Sequence, residues 1–157
     1  MYKKVLVPLD GSALAECTLS HVKNLFKDGS VGEVTLLNIV KVDLPWAVIG
    51  SESDQYRRKP IDINAIREPL FTASRKYLKN VESQLGSQGV KVITDSVEGN
   101  RPADTITEYA QEKGMDMIII ATHGYTGLKK LMMGSVAFGV LHQSHVPVLL
   151  IRPESCR

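Results

Sequence analysis

Two stretches of the chain hold the residues best suited to binding an anionic ligand. In the first, Pro8-Leu9-Asp10-Gly11-Ser12, a carboxylate follows an apolar run and precedes a glycine. The second runs from Thr122 to Ser135 and carries Gly124, Gly127 and Gly134, the last directly before Ser135. Glycine lets the backbone approach a ligand closely, and a helix that starts after such a loop offers unpaired N–H groups with a partial positive charge. Glycines that end in Gly-Ser at a helix start therefore have the makings of a phosphate cradle. Asp10 can accept hydrogen bonds from sugar hydroxyls or cap the helix that follows it, and Ser135 can cap a helix and donate to an anion at once.

Other chemistries lack their residues. No G-x-x-x-x-G-K-[ST] occurs and no G-x-G-x-x-G follows the first strand, against a P-loop NTPase and a dinucleotide-binding dehydrogenase. H-E-x-x-H and G-x-S-x-G are missing too, so zinc-peptidase and α/β-hydrolase readings lose their support. His123 has no positioned partner, while His142 and His145 flank a helix end as packing residues. Met132 and Met133 read as packing residues, and Arg57-Arg58-Lys59 as a solvated run. No catalytic residue and no metal-ligand set is identified.

The elements that must position these stretches follow from hydrophobic patterning. Lys3 to Pro8, Glu33 to Val40, Lys91 to Val97, Met117 to Ala121 and Pro147 to Ile151 are short, nearly continuous apolar runs bounded by turn residues, the pattern of strands buried on both faces. Between them lie helical periods. One starts at Ser12 with Ala15, Leu19, Val22 and Phe26 on a face, and one carries Leu70, Ala73, Tyr77, Val81 and Leu85, with Pro69 in its first turn. Another opens at Pro102 with Ile106, Tyr109 and Ala110, and the last runs from Ser135 to about Gln143. Strands alternating with helices predict an α/β fold, a doubly wound open parallel five-stranded sheet with helices on both faces. In such sheets ligands bind beyond the carboxyl ends of the strands, where neighbouring connections leave for opposite faces. That rule selects the segments after strands one and four. Residues from about 41 to 67 show no period, contain the only tryptophan, Trp46, and are expected to form a flexible insertion in a single domain spanning 1–157.

Composition agrees. The 157 residues are 43% hydrophobic and 23% charged, with a net charge of +2. That balance predicts neither a nucleic-acid nor a membrane footprint. No apolar run approaches the ~18 residues of a membrane span, and the N-terminal apolar stretch is too short for a secretory signal. Cys17 and Cys156 are the only cysteines. One sits in a predicted helix and the other in a predicted frayed tail, so both are expected to be free thiols, which fits a cytoplasmic location.

Ala121-x-x-Gly124, nine residues, then Gly134-Ser135 resembles the ATP-binding signature G-x2-G-x9-G-[S/T] of the universal stress protein (UspA) family. The resemblance extends over the chain. Val5 to Ser12 looks like the family's opening strand and acidic turn, Gly99 and Pro102 match its third turn, and His145 to Arg152 looks like its closing strand. The implied fold is Rossmann-like, of the adenine nucleotide alpha hydrolase-like type. The resemblance implies ATP, or AMP or ADP, as ligand, and magnesium could accompany the phosphates. Pro8 would border the site, Asp10 would accept from the ribose, and Ile39 would pack on adenine. Ala121, Gly124, Gly134, Ser135 and the Val136 N–H would lie against the sugar and phosphates, with Lys129 and Lys130 screening charge. Two positions depart from the pattern: Ala121 replaces the first glycine of the signature, and Phe138 stands where many members carry a polar or acidic residue.

The function so implied is that of a nucleotide-binding stress-response or signalling module. The family resemblance implies a homodimer formed through the last strand, and an unknown protein partner is compatible with it. A slow or partner-dependent ATPase or phosphotransferase, and a nucleotide-free adaptor dimer, are the alternatives.

Overall fold

A computed structural model describes residues 1–44, 62–87, 89–122 and 133–152. The elements run β1 (Tyr2–Pro8), α1 (Ala13–Glu16), α2 (Thr18–Lys27), β2 (Val31–Val40), α3 (Ile63–Gly86), β3 (Val92–Glu98), α4 (Pro102–Glu112), β4 (Met117–Ala121), α5 (Ser135–Gln143) and β5 (Val148–Ile151). The strands form one sheet in the order β3-β2-β1-β4-β5. Every pairing is parallel, with Pro8 opposite Leu37, Leu6 opposite Ile118 and Ala121 opposite Ile151. The doubly wound parallel sheet read from the apolar blocks is the fold observed.

The central blocks Val5–Val7 and Met117–Ala121 are apolar throughout because β1 and β4 are covered on both faces. Val5, Val7, Leu36 and Ile119 pack with Ala15, Leu19, Val22, Leu78 and Val81 of α1, α2 and α3. Their neighbours Leu6, Leu37, Ile118 and Ile120 pack on the other face with Ile106, Tyr109, Ala137 and Val140 of α4 and α5. α4 and α5 approach so closely that a Cβ on Gly139 would stand 2.6 Å from the Ala103 methyl. The helix after β1 thus covers one face and the helix after β4 the other, which opens a crevice between these adjacent strands.

Three expectations are corrected. The helix predicted to begin near Leu70 begins at Ile63, capped by the Asp62 carboxylate on the Asn64 N–H at 3.0 Å. Pro69 therefore lies inside α3 rather than in its first turn. It is exposed there, and packing further along the helix outweighs the backbone hydrogen bond it removes. The buried face of α3 keeps Val81 and Leu85 as predicted, but in its first half Phe71, Ser74 and Leu78 take the places expected of Leu70, Ala73 and Tyr77, with Leu70 and Ala73 exposed to solvent. Finally, Cys17 is disulfide-bonded rather than free. The chain leaving β5 passes beside it, with Cys17 Sγ 3.9 Å from the Arg152 carbonyl oxygen. The other cysteine of the sequence, Cys156, lies outside the described residues, as do Trp46 and Arg57-Arg58-Lys59. No helix among the described residues is long and apolar enough to cross a membrane.

Candidate functional site

The crevice between β1 and β4 holds a cavity of about 320 Å³. Pro8, Leu9 and Asp10 line it from the end of β1, Leu37 and Ile39 from β2, and Ala121 and Thr122 from the end of β4. Pro102 and Ile106 close it from α4, and Gly134, Ser135, Val136 and Ala137 from the start of α5. Of the residues selected from the sequence, Pro8, Asp10, Ile39, Ala121, Gly134, Ser135 and Val136 are brought together here, and Gly124 is not among the lining residues. That glycine lies outside the described residues, as do His123, Gly127, Lys129, Lys130 and Met132.

Each wall has a local cause. The chain leaves β1 with the Leu9 N–H still paired to the Leu37 carbonyl at 2.8 Å. Asp10 then folds back on its own turn, its Oδ1 accepting from the Ser12 N–H at 3.0 Å and the Ser12 hydroxyl at 2.6 Å. Ser12 in turn accepts from the Ala15 N–H at 3.1 Å and so caps α1. The turn is possible because Gly11 takes φ +82°, which a side chain would resist. The N-cap of α1 is thus Ser12 and not Asp10, which braces the turn ahead of the cap and also lines the cavity.

At the opposite wall the Gly134 N–H donates to the Thr122 carbonyl at 2.7 Å, which ties the start of α5 to the end of β4. Gly134 occupies the N-cap in extended conformation, with no side-chain hydrogen bond to the first turn. Ser135, read from the sequence as a candidate cap, is instead the first helical residue. A helix that starts on glycine has no cap side chain to occupy its first N–H groups and their partial positive charge, and Gly134, Ser135 and Val136 bring that start to the cavity wall. Between these walls the lining is mostly aliphatic. Ile39 is held by its neighbour Gly99, where a Cβ would press the Ile39 methyl at 3.1 Å and collide with the Thr105 hydroxyl. The Ala121 methyl is buried in the wall.

Sequence reading missed Leu37, Pro102 and Ile106 as lining residues. Pro102 had a usable signal, since proline as first residue of a helix marks another helix start at the carboxyl edge of the sheet. Leu37 and Ile106 carried none beyond apolarity. Beside the first loop, the Tyr77 hydroxyl is buried close to the Glu16 and Asp10 carboxylates and the Gly11 backbone. Burial first, and then the carboxylates of Glu16 and Asp10, raise its pKa above the usual phenol value.

Comparison with known proteins places these features among relatives. A family model described as the universal stress protein family matches residues 1–152. Universal stress protein MJ0577 of Methanocaldococcus jannaschii is 32% identical over 161 residues, covering 99% of this chain and 98% of that protein. A solved structure of MJ0577 superposes with a TM-score of 0.76 at 33% identity, covering 97% of this chain and 96% of that one. A universal stress protein family member from Arabidopsis thaliana, solved with AMP bound, shares the fold with a TM-score of 0.62 at 16% identity, covering 96% and 91%.

Proposed function

The chain belongs to the universal stress protein family, and from that premise we propose that it binds an adenine nucleotide, ATP foremost, in the cavity between β1 and β4. The observation that carries this reading is the pairing of an aliphatic chamber with the glycine-capped start of α5 at its mouth. The base packs on Ile39, the ribose lies by Asp10 and Ala121, and the phosphates meet Gly134, Ser135 and the Val136 N–H, with Gly124 completing the cradle. A helix N-terminus without a side-chain cap favours a polyanion over a neutral ligand. The AMP in the Arabidopsis protein is an adenine nucleotide in a related fold, which supports the reading by analogy.

Among the described residues no group of three His, Cys, Asp or Glu side chains could hold a metal ion. Magnesium in this reading accompanies the phosphates. The chain acts as a homodimeric stress-response or signalling module, pairing through β5. That edge strand leaves Leu149 36% exposed, and Phe138 and Leu141 of α5 stand out at 61% and 46%. Apolar surface at an open sheet edge favours a covering partner. The cytoplasm, where adenine nucleotides are supplied, is the proposed location. The free-thiol argument for it no longer stands, because Cys17 is disulfide-bonded.

Two measurements test the binding claim. Purified chain is denatured and the released small molecules identified by mass spectrometry, and the melting temperature is read with and without ATP. An adenine nucleotide among the released molecules, and stabilisation by about 2.7 kcal/mol at 100 times Kd, are expected. No released nucleotide and no shift at millimolar ATP would replace this reading with the nucleotide-free adaptor. Phosphate release well above background with magnesium would move it towards the ATPase.

A further inference from the structure

Behind the loop that carries Asp10, on the face of the sheet turned away from α5, a chain of polar groups runs through an otherwise apolar layer. The Asn38 side-chain N–H donates to the Leu9 carbonyl at 2.7 Å. The Ser74 hydroxyl of α3 donates to Asn38 Oδ1 at 2.6 Å and lies 2.7 Å from the Ser96 hydroxyl of β3. Ser74 has one proton and gives it to Asn38, so Ser96 must be the donor to Ser74. The donors then all point one way, from the edge strand to the loop. Reversing the Asn38 amide would set its oxygen against the Leu9 carbonyl, an acceptor against an acceptor, so only one orientation satisfies both ends. Ser96 is itself fixed, because its N–H donates to Asp95 Oδ1 at 2.8 Å while Asp95 Oδ2 accepts from Tyr109 of α4 at 2.9 Å.

The Leu9 carbonyl and the Asp10 N–H belong to one rigid peptide plane. The residue ahead of that plane is gripped twice from β2: through the Leu9 N–H on the Leu37 carbonyl at 2.8 Å, and through the Leu9 carbonyl on Asn38. Where regular strand pairing ends at Pro8, a side chain thus continues it for one more residue and sets the direction in which Asp10 leaves the sheet. A polar cluster in this layer costs desolvation that aliphatic residues would avoid, and full satisfaction of its groups is what makes it tolerable.

From this geometry we infer that Asn38, held by Ser74, is a positioning residue that orients the Leu9–Asp10 peptide and thereby aims Asp10 at the ribose hydroxyls. The inference rests on the nucleotide reading above and deepens it: discrimination for the intact ribose depends on a residue that does not touch the ligand. Asn38 does its work through Asp10, so its loss should be felt by ligands that have ribose hydroxyls and not by ligands that lack them.

The test is a cycle of protein and ligand changes. Wild type, Asn38→Ala and Ser74→Ala are titrated with ATP and with 2′,3′-dideoxy-ATP by calorimetry. Asn38→Ala should weaken ATP about tenfold, the usual scale for one lost hydrogen bond to a charged group, and weaken dideoxy-ATP less than about twofold. Ser74→Ala is nearly isosteric and guards against a misfolded Asn38→Ala; it should show the same pattern at about threefold, since the amide remains but is no longer locked. Equal losses on both ligands, or no loss on ATP, overturn the inference. A ligand-free readout separates it from the nucleotide reading. Both variants should speed amide exchange at Leu9 while leaving exchange at Ile118, paired to the Pro147 carbonyl at 2.9 Å, unchanged. Unchanged exchange at Leu9 overturns the positioning role. A wild-type chain that binds no ATP, with Leu9 exchange still accelerated in the variants, sinks the nucleotide reading and leaves the loop-positioning role standing.

Discussion

Replacing Gly134 by aspartate separates the proposed phosphate cradle from the stability of the helix that forms it. Gly134 sits at φ −62° and ψ 151°, extended backbone that any L residue adopts. It occupies the N-cap of α5, where aspartate is preferred over glycine by a few tenths of a kcal/mol and its charge suits the helix dipole. Gly134→Asp should therefore fold and melt at or slightly above the wild-type temperature. For the ligand the same carboxylate is a competitor. Placed about 4 Å from a phosphate oxygen at an effective dielectric near 20, it repels by about 4 kcal/mol for each pair of unit charges. That corresponds to roughly three decades in Kd, and screening by salt should still leave a loss of at least about a hundredfold. Calorimetry and thermal shift with ATP and with adenosine make the assay. ATP at 100 times Kd should raise the wild-type melting temperature by about 5–11 °C, from ~2.7 kcal/mol at 2–4 °C per kcal/mol for a domain of this size. The variant should show an ATP shift of no more than about 1–2 °C at that concentration and bind adenosine within about twofold of wild type. A Gly134→Asp variant that binds ATP as tightly as the parent would refute the assignment of the phosphates to α5.

Three further outcomes follow from the same geometry. Ala121→Gly removes the methyl from the cavity wall, so ATP titration should show a few-fold tighter Kd while urea unfolding shows a loss of about 0.5–1 kcal/mol, the usual difference between the two residues within a regular element. Burial, and the hydrogen bond to Asp95 at 2.9 Å, raise the Tyr109 phenol above its ordinary pKa near 10. Above that pH the unfolded phenol ionises while the folded one keeps its proton, so stability falls as pH rises; Tyr109→Phe should flatten this alkaline decline in urea titrations from about pH 9 to 12. Cys17→Ser removes the disulfide and should cost about 2–5 kcal/mol by the same method, and addition of reductant to wild type should reproduce the loss.

The sheet was readable because its central strands are apolar on both faces, so runs such as Val5 to Val7 and Met117 to Ala121 stood apart from the helices between them. The placement of the crevice followed from topology alone, which is why Asp10 and Gly134, far apart in sequence, could be paired in advance. The phase of α3 was not readable in the same way. Its buried face includes Ser74, a polar residue held by Asn38 and Ser96, and a hydrophobic pattern cannot select a serine. Leu70 and Ala73 offered an equally periodic choice one residue away. Pro69 misled for a related reason, because propensity marks a helix start whereas long-range packing set this one at Ile63. The disulfide at Cys17 was missed since pairing depends on where the chain travels after β5, and spacing along the sequence carries no such information. In the site, the residues with distinctive chemistry were found, and the aliphatic lining, Leu37 and Ile106, was indistinguishable from core.

The central claim is most directly tested by a crystal structure of this chain grown with millimolar ATP. The account expects density for the nucleotide in the β1–β4 crevice, with adenine against Ile39, ribose hydroxyls at the Asp10 carboxylate and phosphate oxygens within hydrogen-bond reach of the Ser135 and Val136 amides. Density for ATP elsewhere, or a crevice filled by its own side chains at that concentration, would contradict it.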